Sequence, residues 1–105
     1  MSVSDDLANL LTGYFHDEFY RDGIAALRRD ILHPDTARRW KDTVSAIRNR
    51  ALPPGDALHL VNYKANQVLE ENTDEEAYIW LDQMIQNVER TDGRIEEYPA
   101  KDTAE

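Results

Sequence analysis

Residues 37 to 51 constrain the fold more than any other stretch. Ala37, Trp40, Val44, Ile47 and Ala51 recur at steps of 3, 4, 3 and 4. This spacing lines one face of an α-helix, and a strand cannot use it because its side chains alternate every second residue. Asp35 or Thr36 is in place to start this helix. His33-Pro34 ends whatever precedes it, since the residue before a proline is pushed out of the helical region. Leu52-Pro53-Pro54-Gly55 then breaks the chain. A helix with one apolar stripe must bury that stripe against other elements, so the rest of the chain has to supply its partners.

Those partners are also helical. Ser2 or Ser4 can cap a first helix, with Asp5 and Asp6 in its first turn where the helix dipole favours anions, and Val3, Leu7, Leu10, Leu11, Tyr14 and Phe15 follow at helical spacing. Gly13 within this pattern costs about 1 kcal/mol relative to alanine, which predicts a close helix contact or a bend there. A second helix is expected after Asp22-Gly23, with Ile24, Leu27 and Ile31 inward and Arg28, Arg29 and Asp30 outward. Asp56 can cap a fourth, whose stripe is Leu58, Val61, Ala65, Val68 and Leu69. Thr73-Asp74-Glu75-Glu76 has the form of a capping box, in which Thr73 and Glu76 satisfy each other's backbone N–H groups. It opens a fifth helix bearing Ala77, Trp80, Leu81, Met84, Ile85 and Val88, which stops near Asp92-Gly93. No segment alternates with period two, and no hairpin turn separates β-branched runs. The expected fold is all-α, a single-domain bundle of about five helices over residues 1–93, followed by a flexible acidic tail over 94–105.

Composition narrows the function. With 105 residues the chain supports one core, and with no cysteine it has no disulfide or thiolate chemistry. No run approaches the length of a membrane span and no signal-peptide pattern opens the sequence, so a cytoplasmic location is expected. The net charge of −9 repels nucleic-acid phosphates and anionic lipid and steers basic partners inward. That charge is uneven: −4 over residues 1–22, +4 over 23–51 and −9 over 52–105. The basic run Arg28, Arg29, Arg38, Arg39 and Lys41 is expected to be solvated surface that pairs with acidic helices.

Two clusters are dense enough to carry chemistry. In the first, Tyr14, Phe15 and Phe19 flank the polar group His16-Asp17-Glu18. A zinc site needs converging ligands, and adjacent helical residues point about 100° apart. Catalysis by His16 and Glu18 needs a pocket and a partner signature, and the sequence supplies neither. No catalytic residue, metal or cofactor is therefore expected. His16 is read as bonding a carboxylate or a backbone carbonyl at the edge of a core in which Tyr14 or Phe15 packs. Trp40 and Trp80, both on apolar stripes, are read as core. In the second cluster, Glu70, Glu71, Asp74, Glu75 and Glu76 place five carboxylates within seven positions at a helix junction. Capping accounts for Asp74 and Glu76 but not for Glu70, Glu71 and Glu75, so a partner surface is expected here.

The run from Leu10 to Phe19 resembles the Tyr-Phe-His-Gln-Asp-Trp signature near the N-terminus of a family of small helical contact-dependent growth inhibition immunity proteins. Tyr14, Phe15 and His16 match it, whereas Asp17, Glu18 and Phe19 stand where that family has Gln, Asp and Trp. Trp80-Leu81 resembles the family's C-terminal Trp-Leu pair. The resemblance implies a cytoplasmic antidote that binds the C-terminal toxin domain delivered by a neighbouring bacterium, often a nuclease, and blocks it without doing chemistry. An acidic helical domain suits that role, since it can occlude a basic active site by mimicking phosphate charge. Two alternatives stay open: a helical adaptor for some other protein, and a small enzyme or metal binder centred on His16.

Overall fold

In the computed structural model, which describes residues 3–67 and 69–96, the stripe on residues 37–51 is part of a helix that starts one step early. Helix α3 runs Pro34–Arg48 with Pro34 in its first turn. There the missing N–H costs nothing and the fixed φ suits the helix. His33 is extended in front of it, with φ −83° and ψ 134°, as a residue before proline should be. Trp40, Val44 and Ile47 are buried and Thr43 joins them, while Ala51 lies beyond the helix end and is exposed.

Helix α1, Val3–Tyr14, buries Leu7 and Leu11 and passes straight through Gly13. Gly13 is exposed, and a methyl group added there would meet nothing within 4 Å. The close contact expected at Gly13 occurs at Gly23 instead. A methyl group on Gly23 would overlap the Tyr14 carbonyl oxygen and lie 2.7 Å from the Phe15 ring. Helix α2 accordingly begins before this glycine, at Tyr20, and runs to Asp30 with Gly23, Ile24 and Leu27 buried. The packing of its first turn on the end of α1 outweighs the poor helix propensity of glycine.

Helix α4, Asp56–His59, continues without a break into a π-helical turn, Leu60–Lys64, in which the Ala65 N–H reaches back to the Leu60 carbonyl at 3.0 Å. The wider winding rotates the inward face. Ala57, Leu60, Val61, Ala65 and Leu69 are buried, whereas Leu58, expected inside, is only half-buried. Asp56 does not cap this helix. Gly55 holds the cap position at φ 87°, and the Asp74 carboxylate accepts from the N–H groups of Gly55 and Leu58 at 2.7 and 3.0 Å. Asp56 instead accepts a bond from the Ser4 hydroxyl at 3.1 Å. Ser2, Val68 and the tail from residue 97 onward lie outside the described residues.

Helix α5, Asp74–Glu89, is the central element, with all six expected apolar residues buried along with Tyr78 and Asn87. Phe15, Tyr20 and Trp80 form one aromatic cluster on it, with ring centroids 5.6 to 5.7 Å apart and edge-to-face contacts onto the indole. Among the described residues the fold is all-α with five helices and no strand. The radius of gyration, 13.0 Å, is that of a single packed unit of this length.

The segment after α5 is pinned at its start. Arg28 on α2 donates to the carbonyls of Asn87, Gly93 and Arg94 at 2.6 to 3.2 Å. The buried Asn87 side chain exchanges two hydrogen bonds with the backbone of Glu96 and donates to the Tyr20 hydroxyl. Residues 94–96, expected to belong to a free tail, are therefore docked. Arg28, expected to be solvated, serves as a clamp on backbone carbonyls.

Candidate functional site

The two clusters sort into structural and unoccupied parts. At the acidic junction, Thr73 accepts from the Glu76 N–H at 3.1 Å, which is the Thr73 half of the expected capping box. The Glu76 carboxylate, 8 % exposed, takes the Glu71 N–H at 2.6 Å and so braces the loop before α5. Asp74 is committed to the start of α4. Glu70, Glu71 and Glu75 remain exposed, and none of their side chains makes an ion pair among the described residues. One base does reach this region through space. Arg50, from the end of α3, pairs with both Asp82 oxygens at 2.8 and 3.1 Å and lies 4.6 Å from the Tyr78 ring centre. The bond to Asp82 holds its guanidinium more firmly charged, and Glu75 adds to this from nearby. Glu70 and Glu71 are the carboxylates least offset.

The corner between α1 and α2 divides in the same way. Phe15 is 1 % exposed, at the heart of the aromatic cluster. Tyr14, half-buried, donates its hydroxyl to the Asp30 carboxylate at the other end of α2. Burial first, and then the bond to Asp30, push this phenol up to about 12. The same hydroxyl holds the Asp30 carboxyl below its ordinary 3.8. The His16 ring bonds Asp17 at 3.1 Å, and its carbonyl accepts from the Asn66 side chain at 3.4 Å. Glu18 is exposed. Phe19 does not pack as an anchor of the core; it is 83 % exposed.

His16, His33 and His59 do not converge; His59 stacks on Tyr63 with ring centres 5.0 Å apart. Among the described residues no three histidines or carboxylates come together as metal ligands. A half-open cleft of about 290 Å³ lies between α1 and α3, with Leu10, Tyr14 and Trp40 among its apolar walls and Asp6 and Arg39 among its polar ones. No histidine lines it, and its volume sits at the lower limit of small-molecule sites. Trp40 turns its indole N–H to Glu89 at 3.3 Å, beside the Arg48–Glu89 ion pair.

Comparison with protein-family models, with curated proteins and with solved structures finds no match.

Sequence reasoning missed Gly23, Arg28, Asn87 and Arg50; the last three act across 59, 67 and 32 residues of chain, and Gly23 acts across the turn between α1 and α2. The only local signal was an arginine facing out from a short helix beside a second one. Nothing in the sequence near Asn87 or Gly23 names its partner.

Proposed function

We propose that this chain is an immunity protein: it binds a cognate toxin domain, of nuclease type, and neutralises it by covering the toxin's basic active site. The observation that carries this reading is the division of labour at the acidic junction. Asp74 and Glu76 satisfy the backbone of α4 and of the loop before α5, while Glu70, Glu71 and Glu75 are left at the surface of a domain whose net charge is −9. Carboxylates with no internal duty are available to contact lysine and arginine side chains that otherwise hold phosphate. The resemblance of Tyr14-Phe15-His16 and Trp80-Leu81 to the immunity family supports the same reading.

The reading requires a gene for a large secreted toxin immediately upstream, and the test is binding to the C-terminal domain of that upstream-encoded protein; absence of such a gene counts against the reading. Reversing Glu70, Glu71 and Glu75 to lysine should weaken binding about tenfold or more at about 50 mM salt, chiefly through slower association, and by less at about 500 mM. Unchanged affinity removes the junction from the interface. Absence of binding by the wild-type chain overturns the function.

A further inference from the structure

Phe19 is the most exposed large apolar side chain among the described residues, at 83 %, yet the backbone that carries it is firmly held. Its carbonyl accepts the Gly23 N–H at 3.0 Å. Gly23 is in turn wedged against Tyr14 and Phe15, and Phe15 is locked between Tyr20 and Trp80. On the other side of the corner, Asn66 holds the His16 carbonyl. An aromatic ring on so fixed a corner loses little conformational freedom when it enters a pocket, which is the usual condition of an interface hot spot.

Its surroundings define what the pocket belongs to. Asp17, Glu18 and Asp22 are exposed around it, three acids against the single base Arg21. The bond from Asn66 to His16 also ties this corner to the acidic junction. Asn66 precedes Glu70 by four residues, which span at most about 14 Å. The path from Phe19 through His16 and Asn66 to Glu70 spans at most about 35 Å, comparable with the roughly 30 Å breadth of a standard interface of about 800 Å² per partner. Tyr63, 66 % exposed and three residues before Asn66, adds a second aromatic surface nearby in the chain.

We propose that Phe19 is the apolar anchor of the partner interface, seated in an apolar pocket rimmed by lysine and arginine on the same basic protein that Glu70 and Glu71 face. This inference rests on the function proposed above and assigns different duties to the two features. Exposed carboxylates steer the encounter and act on the association rate, with strong salt dependence. A buried aromatic anchor acts on the dissociation rate, largely independent of salt.

The experiment compares binding kinetics of the wild-type chain, Phe19→Ala and Phe19→Trp against the upstream-encoded C-terminal domain at about 50 and 500 mM salt. Phe19→Ala should raise the dissociation rate about thirtyfold or more, the size of a hot-spot loss, at both salt concentrations, and leave association within about twofold. Phe19→Trp, which keeps an aromatic ring, should stay within about fivefold of wild type. Wild-type dissociation in Phe19→Ala, with the lysine reversals still effective, overturns the anchor and leaves the proposed function standing. A lower melting midpoint for Phe19→Ala makes the residue part of the fold and also overturns the anchor. No binding by the wild-type chain overturns both.

Discussion

Phe15 and Phe19 have the same side chain, stand one helical turn apart in sequence and flank the same polar triplet, yet they are 1 % and 83 % exposed. Helix α1 ends just before Phe15, at Tyr14, and α2 begins immediately after Phe19, so both rings lie on the connection and the spacing of four residues never becomes a shared helix face. The chain turns sharply enough to bring Gly23 onto the Tyr14 carbonyl, and that turn sends one ring inward and the other out. Apolar character alone therefore does not make a residue part of a core; the local backbone decides which of two equal side chains is buried.

The contrast is broken most directly by truncating each ring. Phe15→Ala removes a ring enclosed by Tyr20 and Trp80 and should cost about 3–5 kcal/mol of stability. Phe19→Ala should change it by no more than about 0.5 kcal/mol. Chemical denaturation of the two variants side by side reads both, and equal losses would mean that Phe19 packs.

The two glycines of the same region provide the next test. Gly23→Ala forces a methyl group into the Tyr14 carbonyl and the Phe15 ring and should cost about 1–3 kcal/mol, splaying the corner that separates the phenylalanines. Gly13→Ala, on an exposed helical site with open space around it, should add about 0.4–1 kcal/mol. Thermal midpoints moving in opposite directions would sharpen the comparison, while a loss at Gly13 would contradict the open surface described for it.

The smallest effect concerns Tyr14, which holds the inward side of the corner to Asp30. Its phenol lies at about 12, above the ordinary 10, so its stabilising contribution is complete below pH 10 and is lost as pH rises from 10 through 12. The Asp30 carboxyl is lowered from 3.8, so its contribution is present above that value and is lost as pH falls below it. The stability difference between wild type and Tyr14→Phe should stay level from about pH 5 to 9 and shrink at both extremes. A difference that is constant from pH 9 to 12 would show that the Tyr14 hydroxyl gains nothing from its partner.

Much of the fold was legible because helical periodicity is a local property. The stripe from Trp40 to Ile47 and the one from Ala77 to Val88 each mark their own buried face, and Thr73 caps α5 as its position suggests. The misplaced features share another origin. Residues 56–65 carry a pattern fitted to 3.6 residues per turn, but the backbone winds more widely from Leu60, so Val61 and Ala65 are buried as expected while Ala57 and Leu60 are buried in place of Leu58. Asp56 and Asp74 are both suitable caps by type, and only the approach of α5 to α4 selects Asp74. At the candidate site, the sequence placed five carboxylates together but could not show that Asp74 bonds the start of α4 and Glu76 the Glu71 N–H, or that Arg50 arrives beside Asp82 and Glu75 from the end of α3.

The sequence by itself determined that this chain is helical, has one core and is strongly acidic, because hydrophobic period, breaker residues and net charge are sums over neighbours. The tertiary structure decided which glycine is indispensable, which arginine clamps residues 93–94 and which phenylalanine faces water. The Arg28 clamp joins segments about sixty residues apart, and the glycine and phenylalanine choices follow from how α2 packs back onto the end of α1, which no single-residue preference encodes.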